Sequence, residues 1–149
     1  MPALLEIDQY FVDEFSLEVN QKYDGEQCQF DLEVDYNIGR ASDGQPNFEV
    51  SLIVEINRKE EVFSKCPYRV HLLVTGYFHF PEDTPEEKIN NMIAPNGLAI
   101  LYGVARNTVS QMAGVGRHGR VLLPSVNFIE IIQDKEKKKQ KKKKKKQLK

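Results

Sequence analysis

The chain of 149 residues has no tryptophan and only two cysteines. No run of about 18 apolar residues occurs, so the sequence predicts no membrane-spanning helix. The first ten residues have neither a basic region nor a long apolar segment, so we expect no signal peptide. Cys28 and Cys66 are far apart, and either a disulfide or two reduced thiols would fit. Reduced thiols in a cytoplasmic protein are the simpler interpretation.

The sequence also lacks any arrangement typical of catalysis. His71, His79 and His118 are dispersed, and none has a cysteine or histidine partner at metal-ligand spacing. The segment Gly114–Gly119 matches G-x-G-x-x-G, but it follows a predicted helix, whereas a dinucleotide-binding loop follows a strand and opens a helix. We therefore expect a connector here, and a protein that is not an enzyme and holds no metal or cofactor.

Charge is distributed very unevenly. The net charge is -1, but residues 135–149 hold eleven lysines and one glutamate, so this tail carries +10 and the rest of the chain -11. We expect one folded domain over residues 1–134, and a low-complexity tail over 135–149 that begins as a helix and frays into disorder. The tail either binds a polyanion such as RNA or is a solvated appendage.

Four segments before residue 81 alternate between apolar and polar residues, the period of a half-buried strand. They cover residues 11–19, 28–38, 48–56 and 68–80, and Gly76 in the last is a candidate bulge. Strands with one apolar face predict an antiparallel sheet covered on one side. Tyr10, Val12, Ile53 and Leu73 are apolar residues on the predicted polar face. They are either scattered surface residues or are covered by a second subunit or a client.

Helices follow the strands. Thr84–Glu87 reads as a capping box that opens a short helix to about Ile93. A long helix then runs from a cap at Asn96 to a left-handed stop at Gly114, and after Pro124 a C-terminal helix begins at a cap, Ser125 or Asn127. The inner face of this last helix comprises Phe128, Ile131 and Ile132. The order of elements predicts an α+β fold.

Two motifs, ILYGVARN at residues 100–107 and LPSVNF at residues 123–128, resemble the SecB family of export chaperones. Residues 100–107 (ILYGVARN) are similar to the family's I-L-F-P-Y-A-R-E helix opening, with Gly103 and Asn107 departing from it. Residues 123–128 (LPSVNF) are similar to its L-x-P-V-N-F signature. The resemblance extends back to about Ile7. It implies a SecB-like α+β fold, a four-stranded antiparallel sheet followed by three helices, assembled as a dimer of dimers.

The resemblance also implies an ATP-independent holdase that binds unfolded polypeptides. Its client groove would lie at the boundary of sheet and helices, where Tyr102 and Phe128 could equally be core. The candidate groove residues are Phe30, Leu32, Val34, Tyr36, Tyr102, Leu122, Leu123, Phe128, Ile131 and Ile132.

The resemblance leaves the destination of the clients open. In export chaperones an acidic patch on the sheet contacts the motor SecA, and Glu14 and Glu18 match two of its positions. Arg69 and His71 stand where the family has Leu and Glu, so half of the patch is lost. Related chaperones protect an antitoxin instead. A nucleic-acid- or ribosome-associated protein acting through the lysine-rich tail is the alternative function, although the acidic body would repel phosphate.

Overall fold

A computed structural model describes residues 4–147 as a four-stranded sheet with three helices. The elements in chain order are β1 (Glu6–Val19), β2 (Leu32–Arg40), β3 (Asn47–Ile56), α1 (Glu60–Phe63), β4 (Tyr68–His79), α2 (Glu86–Gly114) and α3 (Phe128–Gln147). All strand pairs are antiparallel and the order is β1-β4-β3-β2, so β1 and β2 form the two edges. The predicted α+β class is confirmed. Assembly as a dimer of dimers stays a prediction.

The core lies between one face of the sheet and α2. Alternate residues of β3 and β4 supply its floor, where Leu52 pairs with Val74 and Val54 with Leu72, all four fully buried. The helix covers them with a stripe of buried side chains that includes Leu98, Leu101, Ala105 and Val109. Each large aliphatic side chain buried in this way contributes roughly 1.5–3 kcal/mol.

β1 departs from the simple alternation because Asp13 is an extra residue in its pairing with β4. A bulge of this kind reverses which face the following residues occupy. Phe11 therefore lies opposite Thr75 on the polar face, and Tyr10 and Val12 turn toward the helix side. The sequence prediction placed Phe11 on the apolar face and the other two on the polar face, and it is wrong for this half of the strand.

Gly76 is not the bulge that the sequence suggests. It keeps regular pairing with both neighbouring strands, opposite Tyr10 and Val50. A Cβ atom at this position would lie 2.7 Å from the ring of Phe78 and 2.8 Å from Leu101 Cδ2. Glycine is needed here because α2 and the Phe78 ring approach the strand closely.

Cys28 and Cys66 form a disulfide, with their Cα atoms 4.9 Å apart. The simpler expectation of two separate thiols is corrected. Asn57 accounts for the proximity: its backbone amide and its side-chain oxygen both bond the backbone of Asp31. Its side-chain amide also donates to the carbonyl of Tyr68, which holds the segment before β2 against the start of β4.

α2 is one continuous helix of 29 residues, in which the predicted short and long helices are joined. Pro95 and Asn96 lie inside it, so Asn96 is not a cap. The predicted capping box is absent as well, because Pro85 occupies the cap position and the Thr84 hydroxyl has no hydrogen-bond partner among the described residues. Gly114 ends the helix without a positive φ.

An irregular segment connects α2 to α3. Here Gly119 has the left-handed φ of +80°, and the Tyr68 hydroxyl accepts a hydrogen bond from the His118 amide. Of the two predicted caps, Asn127 starts α3, because its Oδ1 accepts from the amides of Ile129 and Glu130. α3 remains helical to Gln147, so the described part of the lysine-rich tail is helical where we expected disorder.

Candidate functional site

A groove runs between the edge strand β2 and the beginning of α3. A cavity of about 500 Å³ is lined by Val34, Asp35 and Ile131 together with Asp134 and four lysines of α3. A second cavity, of about 270 Å³, lies beside it and is lined among others by Tyr36, Ile38 and Ile132. We call this region the β2–α3 groove. Its apolar residues are half-buried and rest on the edge of the core, so each keeps part of its surface available to a ligand.

Lys135 joins the two walls of the groove. Its ammonium group lies 3.0 Å from Asp35 Oδ1, donates to the backbone carbonyl of Tyr36, and sits 4.1 Å from the centre of the Tyr36 ring. Burial acts to raise the pKa of Asp35. Hydrogen bonds from Lys135 and the Tyr36 amide, with the charges of Lys135 and Lys138, outweigh burial and hold that pKa below its usual value. The sequence analysis assigned Lys135 to the tail and missed this contact.

Three of the predicted groove residues are core residues in the described chain. Tyr102, Leu123 and Phe128 are each at most 7% exposed. The rings of Tyr102 and Phe128 meet edge to face with centroids 5.5 Å apart, and the Tyr102 hydroxyl donates to the carbonyl of Pro124. Burial raises the pKa of Tyr102, although Arg106 acts to lower it. This cluster anchors the start of α3 on α2 and thereby positions the groove wall.

The remaining predicted groove residues differ in exposure. Val34, Tyr36, Ile131 and Ile132 are half-buried in the two cavities described above. Leu32 is half-buried at the start of β2, and Phe30 precedes that strand with 36% of its surface exposed. Leu122 is 70% exposed on the connecting segment.

A second apolar surface lies on the other side of α3. A cavity of about 530 Å³ is lined by Pro95, Ala99, Val126, Ile129 and neighbouring residues. Ile129 is 59% exposed. The sequence analysis named only the inner face of this helix and missed Ile129, although a plot of the helical period would have placed it on the outer face.

On the polar face of the sheet, the two predicted acidic contact residues are each paired with a basic side chain. Glu18 Oε2 lies 3.2 Å from Arg69, and Glu14 Oε2 lies 2.6 Å from His71 Nε2. The other ring nitrogen of His71 is 2.6 Å from Glu55 Oε1. The hydrogen bonds that the His71 ring donates to Glu14 and Glu55 raise the pKa of His71 above its usual value, because both carboxylates favour the charged imidazole.

The same face also carries an apolar patch. The rings of Phe11 and Tyr77 meet edge to face at 6.3 Å and are 48% and 40% exposed. Ile53 and Leu73, which pair across β3 and β4, are half-buried. Of these residues, sequence reasoning assigned only Ile53 and Leu73 to this face. It misplaced Phe11 because it could not detect the bulge at Asp13, and it did not consider Tyr77.

Within residues 4–147, no group of three or more His, Cys, Asp or Glu side chains is placed to hold a metal ion. None of the helices in that range is long and apolar enough to cross a membrane.

Comparison with known proteins identifies the family. The model of the family described as preprotein translocase subunit SecB matches residues 2–139, and the chain therefore belongs to the SecB family. A SecB-like chaperone from Mycobacterium tuberculosis, solved in complex with a ChAD peptide from the HigA1 antitoxin, has a similar fold. Its TM-score is 0.64 at 14% identity, over 82% of this chain and 90% of that chain.

A protein of unknown function from Streptococcus agalactiae aligns with a TM-score of 0.45 at 10% identity, over 81% of this chain and 97% of that one. No curated protein sequence matches the chain. Members of the SecB family are chaperones rather than enzymes, so membership supports a chaperone role and is consistent with the expectation of no enzymatic activity.

Proposed function

We propose that this chain is an ATP-independent holdase that binds non-native polypeptides in the β2–α3 groove. The observation that carries the proposal is the row of half-buried apolar side chains, Val34, Tyr36, Ile131 and Ile132, beside an edge strand. Apolar burial is non-directional and stabilises by about 25 cal/mol per Å², so it suits clients of many sequences. The backbone of an edge strand can also pair with an extended client.

Assembly is the second part of the proposal. We propose a homotetramer, a dimer of dimers, acting without a cofactor. One groove offers only a short apolar contact, and a long client that occupies grooves on several subunits gains avidity through effective concentration. A client that folds buries its own apolar surface and is released, so the cycle needs no nucleotide.

Two destinations for the clients remain separate proposals: delivery to the export motor SecA, and protection of an antitoxin. Contact with SecA would use Glu14 and Glu18, but Arg69 and His71 already compensate these carboxylates. This pairing weakens the acidic patch and favours the antitoxin destination. The structural relative solved with an antitoxin peptide adds support.

The proposal is tested by the aggregation of a thermally unfolded model protein, followed by light scattering without nucleotide. We expect equimolar chain to suppress scattering, and Ile131→Ser to weaken suppression severalfold by removing apolar surface from the groove. Ile129→Ser is the matched control, because it makes the same change in the same helix outside the groove. The proposal is wrong if wild type leaves scattering unchanged, or if both variants lose equal activity.

A further inference from the structure

The face of α3 that lines the β2–α3 groove changes its chemistry along the helix. Ile131, Asp134, Lys135, Lys138, Lys139 and Lys142 line the same cavity. Their separations of three, four, seven, eight and eleven residues from Ile131 are those of a single helical face. Apolar side chains of this face meet β2, and lysines continue the face where α3 becomes exposed, from Glu136 onward.

The charges in the groove do not cancel. The two cavities of the groove contain three carboxylates, Asp35, Asp134 and Glu136, of which Asp35 is paired with Lys135. The three remaining lysines, Lys138, Lys139 and Lys142, then outnumber the two remaining carboxylates, and the ion pairs found within residues 4–147 include none of these lysines. The groove therefore combines an apolar floor with a net positive wall.

The distances along the helix set the spacing that a ligand would need. At about 1.5 Å per residue, Lys138 and Lys142 lie roughly 10 and 16 Å beyond Ile131. An extended peptide rises about 3.3 Å per residue, so these distances correspond to three and five residues of client.

We propose that the groove selects polypeptide segments in which acidic residues follow an apolar anchor at a distance of about three to five residues. The inference rests on the proposed holdase function and specifies its client class. The apolar anchor contacts Val34 and Ile131, and the client's carboxylates pair with Lys138, Lys139 and Lys142. These pairs are solvent-exposed, so each adds little, and the three together give a preference of roughly five- to tenfold over an uncharged client.

The test measures fluorescence anisotropy of labelled 15-residue peptides with the full-length wild-type chain. One peptide carries a Leu-Ile-Phe anchor followed by three aspartates at the proposed spacing. A second has asparagines at those positions, which keeps its size and removes its charge. We expect the aspartate peptide to bind five- to tenfold more tightly at low salt, and the difference to shrink at high salt because exposed charges are screened.

Two triple variants assign the preference to the groove. The groove variant changes Lys138, Lys139 and Lys142 to glutamine and should bind both peptides equally. The control variant changes Lys137, Lys143 and Lys144 to glutamine, which removes the same charge from lysines outside the groove, and should keep the preference. Equal affinity of wild type for the two peptides would overturn the inference, and so would equal losses in the two variants.

The same variants separate this inference from its alternatives. If the wild type shows no preference for the acidic peptide but wild type and groove variant both suppress aggregation, the holdase proposal stands and only the client class is wrong. A labelled single-stranded oligonucleotide is the third probe, because exposed lysines also attract phosphate. If it binds more tightly than the aspartate peptide and both triple variants weaken it equally, the tail is a nucleic-acid-binding element and the inference is wrong.

Discussion

The His71→Gln variant tests the electrostatics of the polar sheet face. His71 lies between Glu14 and Glu55, with each ring nitrogen 2.6 Å from a carboxylate oxygen. Exposed ion pairs contribute roughly 0.2–1 kcal/mol each. About a third of the His71 side chain and more than half of Glu14 are exposed, so we discount the two pairs together to about 1 kcal/mol.

The pH dependence has a definite sign. Both carboxylates favour the protonated imidazole, so the pKa of His71 in the folded chain is raised above its ordinary value of 6.5. The stabilisation is therefore complete below pH 6.5, and it is lost as the pH rises through the raised pKa. The free-energy difference between wild type and the glutamine variant should be largest near pH 5.5 and should approach zero at alkaline pH.

Urea unfolding followed by circular dichroism, at several pH values between 5.5 and 9, measures this difference. Glu18→Gln is the control, because it breaks the pair with Arg69, and arginine keeps its charge throughout the range. The effect of the control substitution should not vary with pH. If the His71→Gln difference is also constant across this range, the geometry at His71 does not govern its protonation and our reasoning fails.

Two further predictions concern stability. The Cys28–Cys66 disulfide spans 38 residues, for which loop-closure entropy predicts a loss of at most about 4 kcal/mol of unfolding free energy in Cys28→Ser, measured in urea. Dithiothreitol should destabilise the wild type by the same amount and leave the variant unchanged. If neither the substitution nor dithiothreitol lowers the unfolding free energy of the wild type, the disulfide is contradicted. Gly76→Ala should cost about 1–3 kcal/mol in the same assay, because the new methyl group overpacks against Phe78 and Leu101. An unchanged midpoint would show that these two side chains relax freely.

Most of the sheet could be predicted from the sequence because β2, β3 and β4 alternate with a period of two, with the inner face buried in β3 and β4 and half-buried in β2. β1 could not be predicted fully, since an inserted residue such as Asp13 leaves no mark in composition and becomes visible only through its pairing with β4. The helical segments after β4 were predicted in order, but Pro95 and Asn96 read as a break that tertiary packing overrides, so two predicted helices are the single α2. The short helix α1, between β3 and β4, was not predicted.

The candidate site was less predictable than the fold. Val34, Tyr36, Ile131 and Ile132 follow from periodicity, because each lies on the inner face of its own element. The role of Lys135 does not, since its contact with β2 joins residues that are 99 and 100 positions apart. The sequence could not decide between a disulfide and two reduced thiols for the same reason, because spacing alone does not show that Asn57 brings the two cysteines together.

Lys135 has one more consequence, for the resting protein itself. β2 is an edge strand, so its outer backbone groups are available to pair with another strand. A chaperone for non-native polypeptides must prevent its own copies from pairing there. The Lys135 ammonium group donates to the Tyr36 carbonyl on that edge, where the strand of another copy would have to hydrogen-bond. Charged side chains on edge strands are one way in which natural sheets prevent edge-to-edge aggregation. The side chain that shapes the groove would thus disfavour self-polymerisation while the groove is empty, and an extended client that pairs with this edge would have to displace it.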